Sequence, residues 1–505
     1  MRASGAALLA LHQRLRAVAD ELLGDDAPAG HGDPAQDAGA LLHALVERTS
    51  RRPDPAEVWL LLVAVSGVFP LDEEVRAARR QLELVGVDDA VLRLLEHAHV
   101  AAAAGRTSRA HLRLVRDGVV VDVDFSAKHD LQTGIQRVVR RLLPRWDRDH
   151  AVVLAVWTER ATALREPVAG EQERVLRWRR PLHRLTPGPA DPVLVVPWRS
   201  VLVLPEVPGT DQCLRLASLA EHSGNRVALV GYDCIPVASA DLLPASEPTK
   251  FVRYLSLVKH CDVVAGISHS AVEEFRGFVD ALPTQGLGGP RVLPCPLATE
   301  VVDAPEDTHD ESVSLGDPRR LPEVVVVGSH EPRKNHLAVL HAAEVLWREG
   351  LQFRVRLLGG KGWSTTAFDR RLRSLRRRGR PVTAERGLDD DALWSAYRRA
   401  RFTVFPSLHE GYGLPVVESL ALGAPVVGTA YGSVAEIAAD GGVLLVDPRD
   451  DEALTAALRH LLTDDAALDA LRQAALERPV RTWDQYASDL WESTVTAVRS
   501  EVGST

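Results

Sequence analysis

The spacing of apolar residues divides the chain into a helical beginning and two series of alternating elements. Up to residue 108, apolar residues recur every three or four positions, which is typical of helices that pack on one face. We predict helices at 6–23, 36–49, 55–65, 73–85 and 90–103. The stretch DDAPAGHGDPAQDAG interrupts them with glycine, proline and aspartate, which favours an exposed loop. The first predicted domain is therefore an all-helical extension over 1–108.

From residue 119 the pattern changes to short β-rich runs that alternate with helical segments. The run VVVDVDF opens this series, and further strands are predicted at 152–156, 193–196, 201–204, 226–231, 262–267 and 291–294. Helices are predicted between several of them, at 212–222, 249–260 and 270–278. This alternation indicates a parallel, doubly wound sheet. We assign 109–310 to this lobe, in which the charged, proline-rich 166–191 is a surface excursion.

A second alternating series follows the acidic linker EVVDAPEDTHDESVSLGD. Its strands are almost wholly apolar, as expected when helices cover both faces of a sheet: EVVVVG, FRVRLLGG, PVTAERG, FTVFPS, APVVGTA and GGVLLVD. We predict a second lobe over 311–480 and a C-terminal helix over 481–505. The expected fold is α/β, with two Rossmann-like doubly wound lobes facing across a cleft. Ligands of such sheets bind at the carboxyl ends of the strands.

Composition restricts the class of protein. The chain has 505 residues, 46% hydrophobic and 26% charged, which is typical of folded soluble proteins of two or three domains. Its net charge of -9 does not favour nucleic acid as a partner. The longest apolar stretch, 58–71, is shorter than the roughly 20 residues of a membrane span, and the first residues continue as a helix rather than a signal peptide. Four widely spaced cysteines lack a metal-ligand rhythm, and we expect reduced core thiols in the cytoplasm: Cys213, Cys234, Cys261 and Cys295.

The most informative stretch, FPSLHEGYGLPVVESLALGAPVVGT at 405–429, contains two glutamates. After a strand, a loop presents Glu410, and Leu414 and Pro415 open a helix whose amides point into the cleft. Glu418 lies eight positions after Glu410, on the first turn of that helix, so both can face one ligand. Such a helix end suits a phosphate or a sugar hydroxyl. The alternative is a pair of surface acids beside an ordinary helix cap.

A basic loop follows the first strand of the second lobe, in VGSHEPRKNHLAVLHAA at 327–343. The loop carries Arg333 and Lys334, and Asn335 is the predicted N-cap of the next helix. Cations beside a helix N-terminus suit a diphosphate, although an isolated RKN tripeptide is usually a surface turn. Only five of the sixty basic residues are lysines, which makes Lys361 in the next strand's loop, LLGGKGW, a further candidate.

Together these stretches resemble the retaining GT-B-fold glycosyltransferases of family four, the glycosyl transferases group 1, and among them mannosyl- and rhamnosyl-type enzymes that build polysaccharides. The resemblance covers roughly residues 119–495 and implies three roles. Glu410 would contact the transferred sugar as a catalytic residue, Glu418 the ribose, and Lys334 the diphosphate, also as a catalytic residue. The resemblance further implies that the donor is bound by Arg333, Gly411, Tyr412, Gly413 and Leu414, and that Lys361 lies in a segment lining the nucleotide pocket.

The amino-terminal lobe carries a similar glycine loop in AKHDLQTGIQRVVRR at 127–141. A glycine at the start of a helix lets a phosphate approach the backbone closely. By resemblance, Gly134 faces the donor diphosphate, with Thr133 and Ile135 beside it. The arginines that follow at helical spacing are interpreted as a charged outer face: Arg137, Arg140 and Arg141.

The chain departs from the family pattern at two positions. The segment GYDCIPV has Tyr232 where the family commonly carries a histidine beside the reacting sugar, and Asp233 is the remaining catalytic candidate there. Ser329 stands where a further basic residue is common, a difference for which Arg333 is the candidate replacement. Ser268 and His269, in GISHSA, end the following strand and are weaker candidates for the cleft.

Two acids in the first strand, Asp122 and Asp124, leave a metal site and a loop-anchoring role open. We favour anchoring, since strand alternation puts both on one face and the family resemblance implies that no metal is needed. No cofactor is expected besides the nucleoside diphosphate sugar.

These features predict a retaining, metal-independent hexosyltransferase that moves a hexose from a nucleoside diphosphate sugar, with GDP-mannose favoured, to a hydroxyl of a glycan or glycoconjugate. Two alternatives stay open: a non-catalytic subunit that binds nucleotide sugar, and a nucleotide-sugar epimerase on the same fold. The segment RRLRSLRRRGR is most simply a solvated basic helix, and contact with an acidic lipid or polymer stays open. The expected location is the cytoplasm, with a peripheral place at the inner membrane face also open. Three hypotheses remain for the helical extension: it forms homo-oligomers, it docks the acceptor, or it has no role in the activity.

Overall fold

The computed structural model describes residues 2–131, 133–178, 188–302 and 321–500. Parts of the predicted surface excursion and acidic linker, and the predicted boundary at 310, therefore lie outside the described residues. Within the described ranges, the order of elements is that of two α/β lobes preceded by helices. The predicted fold class is confirmed.

Five helices form the amino-terminal extension, close to the predicted ranges. They are α1 (Arg2–Leu22), α2 (Pro34–Arg51), α3 (Pro55–Ser66), α4 (Asp72–Leu84) and α5 (Val87–Gly105). Asp33 and Asp54 cap α2 and α3 by accepting backbone N–H bonds, and each precedes a proline, whose missing N–H costs nothing at a helix start. Most of the apolar stretch that was too short for a membrane span lies in the buried helix α3, and its last five residues form the turn before α4.

The extension packs directly on the amino-terminal lobe and shares a hydrophobic core with it. Arg14 of α1 is 2% exposed and donates to the carbonyls of Ala64, Val65 and Ala110 at 2.7 to 3.1 Å. A buried guanidinium is tolerated here because three carbonyl oxygens satisfy its N–H donors. This arginine connects α1 both to α3 and to the start of the first strand.

The amino-terminal lobe contains a nine-stranded, mainly parallel sheet. Its strands are β1 (His111–Arg116), β2 (Val119–Asp122), β3 (Val153–Trp157), β4 (Leu164–Arg165), β5 (Val193–Trp198), β6 (Val201–Leu204), β7 (Arg226–Gly231), β8 (Val263–Gly266) and β9 (Arg291–Pro294). They lie in the order β1-β5-β4-β3-β2-β6-β7-β8-β9. The two-residue strand β4 runs antiparallel to β3 and β5, so the all-parallel expectation is wrong at this position. Its two residues are too few to produce a strand pattern.

In the described part of this lobe there are seven α-helices, several of them covering the sheet. They are α6 (Asp124–Lys128), α7 (Gly134–Asp149), α8 (Ala169–Leu176), α9 (Thr210–His222), α10 (Ile235–Ala238), α11 (Ser246–Val258) and α12 (His269–Val279). Helices α7 and α12 begin close to the carboxyl ends of β2 and β8. Their first residues therefore lie at the edge of the sheet where ligands of doubly wound folds bind.

The carboxyl-terminal lobe contains a six-stranded parallel sheet in the order β12-β11-β10-β13-β14-β15. The strands are β10 (Glu323–Val327), β11 (Arg354–Leu358), β12 (Val382–Glu385), β13 (Phe402–Phe405), β14 (Val426–Thr429) and β15 (Val443–Val446). The direction of winding reverses between β10 and β13, and loops at such a reversal open a crevice at the carboxyl edge. The loops after β10 and β13 carry the two predicted motifs.

Seven helices accompany these strands before the chain returns to the first lobe. They are α13 (His336–Arg348), α14 (Thr366–Arg377), α15 (Asp390–Arg399), α16 (Leu414–Ala421), α17 (Gly432–Ala438), α18 (Asp451–Thr463) and α19 (Asp465–Leu476). Helix α20 (Trp483–Trp491) then continues through a π-helical turn into α21 (Ala497–Ser500). Trp146 of α7 donates to the carbonyl of Ala487 at 2.9 Å, which fixes α20 against the amino-terminal lobe.

None of the helices in the described ranges combines the length and apolar character needed to cross a membrane.

Candidate functional site

The loop between β13 and α16 has the predicted order of strand, glutamate and helix start. Gly413 occupies the N-cap position of α16 with a φ of 117°, a backbone conformation that favours glycine, and Pro415 lies in the first turn. Glu418 is the fifth residue of α16 and so begins its second turn, which corrects its predicted place on the first turn.

Glu410 is held by two cations in a buried cluster. Lys334 Nζ lies 2.6 Å from Glu410 Oε1, and Arg333 NH1 lies 3.0 Å from Oε2, while each of the three side chains is less than 14% exposed. Burial alone would raise the pKa of the Glu410 carboxyl, but Lys334 and Arg333 outweigh it and lower the pKa from 4.5 to about 2. The structure thus brings together three of the predicted site residues from loops 76 positions apart.

The basic loop after β10 is ordered by its own carboxylate and by the glutamate loop. Arg333 bonds to Glu331 at 2.7 Å and to the carbonyl of His409 at 2.6 Å. Asn335 does occupy the N-cap position of α13, but it has a left-handed backbone and its amide donates to the carbonyl of Pro448 at 2.8 Å. The predicted N-cap position is therefore confirmed, although the Asn335 side chain makes no capping bond to α13. Sequence reasoning also missed Glu331, which has no motif of its own.

Glu418 has a different set of partners from Glu410. Its Oε2 accepts the hydroxyl of Tyr397 at 3.0 Å, and its Oε1 lies 2.6 Å from Arg137 NH1. Burial raises the pKa of the Glu418 carboxyl above 4.5, against the opposing effect of Arg137. Arg137 belongs to α7 of the other lobe, so the interpretation of its side chain as part of a charged outer face is wrong.

The same correction applies to Arg140, which is 7% exposed. Its guanidinium donates to the carbonyls of Ser126, His129 and Leu131 at 2.9 to 3.2 Å. These bonds attach the segment before the glycine loop to α7. Helical spacing alone could not separate an arginine that faces solvent from one that satisfies buried carbonyls.

The two lobes meet at the predicted glycines. A Cβ at Gly134, the first residue of α7, would lie 3.3 Å from the side chain of Leu414 at the start of α16. A Cβ at Gly411 would lie 2.4 Å from the carbonyl of Tyr232, a distance that no side chain tolerates. Both positions therefore bring backbone of one lobe against the other, and the two helix N-termini lie near each other across the cleft.

Further bonds across the cleft hold the glutamate loop. Ser268 Oγ donates to the carbonyl of Gly411 at 2.7 Å, and the hydroxyl of Tyr412 donates to the carbonyl of Leu297 at 3.1 Å. The Tyr412 side chain, predicted to bind the donor, thus packs between the lobes at 8% exposure. These contacts make the loop a shared part of both lobes.

His409 is a cross-lobe residue that sequence reasoning missed. Its Nδ1 lies 2.8 Å from Ser239 Oγ and its Nε2 lies 2.7 Å from Glu274 Oε1. Although burial lowers the pKa of His409, its bond to Glu274 and the charge of that carboxylate raise the pKa above 6.5. The position directly before Glu410 was the only available signal, because the partners lie more than 130 positions away.

The segment after β7 contains Tyr232 and Asp233, whose side chains have different surroundings. Tyr232 is 6% exposed and its hydroxyl donates to the carbonyl of Pro205 at 2.8 Å, so it is anchored within its own lobe. Asp233 accepts the backbone N–H of Ile235 at 3.0 Å. Burial and the nearby Glu274 raise the pKa of Asp233 to about 6, while Arg333 opposes the rise. A Cβ at Gly411 would lie 3.1 Å from Asp233 Oδ2, so this carboxylate borders the glutamate loop.

His269 and Lys361 are exposed at the edges of the cleft. The backbone N–H of His269 donates to Glu436 at 2.8 Å, and this carboxylate of the carboxyl-terminal lobe also accepts the N–H of Ser270, so it caps α12 across the cleft. Lys361 pairs by its backbone with His330. The loops after β10 and β11 run in close contact there, since a Cβ at Gly359 would lie 1.9 Å from the carbonyl oxygen of Gly328.

Asp122 and Asp124 have partners within the lobe. Asp122 Oδ2 accepts Trp157 Nε1 at 2.7 Å, and Asp124 Oδ1 lies 2.5 Å from Lys128 Nζ and accepts the N–H of Trp157 at 2.7 Å. Asp124 is the first residue of α6 and not part of β2, so the expected strand alternation of the two acids is wrong. Their contacts nevertheless join β2 and α6 to the end of β3, which is a loop-anchoring arrangement.

A mixed group of possible metal ligands lies elsewhere in the described residues. Asp72, Glu221 and His222 place ligand atoms within 4.8 Å of one another at the junction of α4 and α9. Arg76 contacts both acids there, at 2.5 and 2.8 Å. A cationic side chain therefore already pairs with both acids of this group.

Comparisons with known proteins agree with the fold and the motifs. Residues 307–478 match the family model described as glycosyl transferases group 1. This range includes Lys334, Glu410 and Glu418. The solved structure of sucrose-phosphate synthase from Thermosynechococcus elongatus covers 77% of this chain and 100% of that one, with a TM-score of 0.52 at 17% identity. This likeness shows the fold alone, which is GT-B.

Two curated relatives from Escherichia coli are mannosyltransferases. The serotype-specific mannosyltransferase WbdA is 26% identical over 334 residues, which are 61% of this chain and 38% of that protein. The O-antigen chain mannosyltransferase B is 34% identical over 174 residues, which are 34% of this chain and 42% of that protein. The chain thus spans about two fifths of the length of these relatives. The resemblance predicted from the motifs, to group 1 glycosyltransferases and to mannosyltransferases among them, is confirmed.

Proposed function

We propose that the protein is a retaining glycosyltransferase that moves a hexose from a nucleoside diphosphate sugar to a hydroxyl of a glycan or glycoconjugate. The observation that carries the proposal is the buried cluster of Lys334, Arg333 and Glu410 beside the N-terminus of α16. Two cations and a helix N-terminus aimed at one crevice stabilise charge on a diphosphate, and they are already oriented before it develops.

Donor binding would exchange partners within this cluster. Lys334 and Arg333 pair with Glu410 in the structure, so a diphosphate that takes both cations releases the carboxylate. Glu410 then accepts hydroxyls of the hexose, since an ionised carboxylate offers only hydrogen-bond acceptors. The same three residues thereby bind the leaving group and orient the sugar.

In the transfer step, the bond between the anomeric carbon and the diphosphate oxygen breaks, and its electrons pass to that oxygen. The acceptor hydroxyl attacks from the same face, and its proton goes to the departing phosphate, so the new glycosidic bond keeps the configuration of the old one. Lys334 and Arg333 receive the growing phosphate charge, which makes a metal unnecessary for this step. We therefore expect transfer to continue in EDTA.

GDP-mannose is the favoured donor, supported by the two relatives whose names describe mannosyltransferases. The acceptor is proposed as a glycan or glycoconjugate because one of them is named for the O-antigen chain. We assign the protein to the cytoplasm, where nucleotide sugars are available.

A peripheral contact with the inner membrane face is proposed through α14. Its apolar residues Phe368, Leu372 and Leu375 pack into the lobe, while arginines on the opposite side are exposed. Co-sedimentation with vesicles containing anionic lipid tests this contact, and the extension's proposed role in homo-oligomers is tested by light scattering of the purified chain.

Thermal unfolding with a panel of nucleotide sugars tests the proposed donor site. We expect one donor to raise the unfolding midpoint, and Lys334→Ala to abolish that shift. Lys250→Ala is the matched control, since Lys250 is exposed and pairs only locally with Glu247. A shift that survives Lys334→Ala would contradict the site.

Transfer to a mannan oligosaccharide, followed by product analysis, separates the alternatives. Binding with neither transfer nor hydrolysis would favour a non-catalytic subunit, and a changed sugar nucleotide formed without acceptor would favour an epimerase. An NMR spectrum showing inverted anomeric configuration in the product would contradict retention.

A further inference from the structure

Arg137 makes an ion pair across the cleft with Glu418, the carboxylate to which the family resemblance assigns the ribose. It lies near the start of α7 in the amino-terminal lobe, and its NH1 is 2.6 Å from Glu418 Oε1 in the other lobe. The Glu418 side chain is 6% exposed and that of Arg137 is 29% exposed. A charge-assisted bond of this length in a largely buried setting orients both groups strongly.

The pair leaves part of the carboxylate able to accept further bonds. Tyr397 binds Oε2 and Arg137 binds Oε1, whereas an ionised carboxylate offers about four acceptor positions. The pair also lines a small pocket between the lobes, together with Leu414 and Trp394. The Arg137 guanidinium lies 5.8 Å from the centre of the Trp394 ring, which further limits its movement.

We propose that Arg137 is a positioning residue for the nucleotide ribose. It holds the Glu418 carboxylate in the orientation that accepts the ribose hydroxyls, and this inference rests on the proposed function. Because Arg137 comes from the opposite lobe, the ribose site is complete only when the lobes are closed. The amino-terminal lobe thus contributes to recognition of a nucleotide that is bound mainly by the carboxyl-terminal lobe.

The test compares ribonucleotides with analogues that lack the ribose hydroxyls. GDP, UDP and ADP and their 2′,3′-dideoxy counterparts are titrated into the wild-type chain by calorimetry, and the nucleotide bound most tightly is used for the variants. We expect the wild type to prefer the ribonucleotide by at least about tenfold, the size of one lost bond to a charged group. Arg137→Met, which keeps the apolar stem, should remove most of this preference, and Arg137→Lys should restore part of it.

Arg145→Met is the matched control on the same helix. Arg145 pairs with Asp484 of α20 at 3.1 Å, so it also connects distant parts of the chain, but it does not contact Glu418. We expect this variant to keep the wild-type preference. Thermal unfolding of each variant without nucleotide verifies that the variant is folded. If Arg137→Met does not fold, Arg137→Gln replaces it in the test.

The possible results separate the two proposals. If the wild type binds none of the nucleotides, the proposed function fails and this inference fails with it. If the wild type prefers the ribonucleotide and Arg137→Met keeps the same preference, only the positioning role is overturned. Equal weakening of both nucleotides would also overturn it, since that result indicates a contact with phosphate.

Discussion

Replacing Gly359 with alanine should displace the basic loop after β10 through a steric conflict in the backbone. A Cβ at this position would lie 1.9 Å from the carbonyl oxygen of Gly328 and 2.5 Å from its carbon. Contacts below 3.0 Å are essentially never tolerated, so the loops after β10 and β11 must separate by about 1.1 Å. The side chain of Lys334 runs past Gly328, 3.4 Å from the position of a Cβ there, and should be displaced with it.

A displacement of 1 Å at a positioning group can reduce a transfer rate about 100-fold. We therefore expect Gly359→Ala to lower the rate by about this factor and to weaken nucleotide binding, measured by steady-state kinetics and calorimetry. Gly360→Ala is the matched control, because a Cβ at Gly360 meets nothing within 4 Å. If the two variants behave alike, the close approach of the loops does not position Lys334, and the reasoning is refuted.

Three further substitutions test individual contacts by thermal unfolding and transfer assays. Tyr232→Phe should lose one buried bond to Pro205, about 1 kcal/mol, yet leave transfer unchanged; a large loss of transfer would place Tyr232 in the site. Because the pKa of His409 is raised by Glu274, its stabilising charge is present below pH 6.5 and is lost as pH rises through the higher folded value. The wild type should therefore lose stability relative to His409→Gln as pH rises above 6.5, and parallel profiles would contradict this. The pKa of Glu410 is lowered from 4.5 to about 2, so its ion pairs stabilise the fold fully above pH 4.5. The difference in stability between the wild type and Glu410→Gln should therefore shrink as pH falls from 4.5 towards 2. A difference that stays constant would contradict the pairing.

Local features of the fold and site were predictable from the sequence. The helix over α3, the apolar strands of the second lobe, and the loops carrying Lys334 and Glu410 each have a pattern within about 20 residues. Alternation of strands and helices determines which loops share the carboxyl edge of a sheet. Those patterns were sufficient to place the two cations and the glutamate near one another.

Contacts between the lobes were not predictable in the same way. The pairs Arg137 with Glu418 and His409 with Glu274 join positions that lie far apart in the chain and depend on how two separate sheets face each other. The periodicity of apolar residues contains no information about the relative orientation of the two lobes. Helical spacing placed Arg137 on a charged outer face of α7. This interpretation is wrong because the second lobe covers that face of α7.

The position of a bound donor tests the central claim most directly. A crystal structure of the chain with GDP-mannose, or with the nucleotide sugar that gives the largest thermal shift, would locate the two phosphates. We predict that phosphate oxygens lie within about 3 Å of Lys334 Nζ and the Arg333 guanidinium, with Glu410 turned to the hexose. Phosphates bound away from these cations, with the pairs to Glu410 intact, would contradict the account.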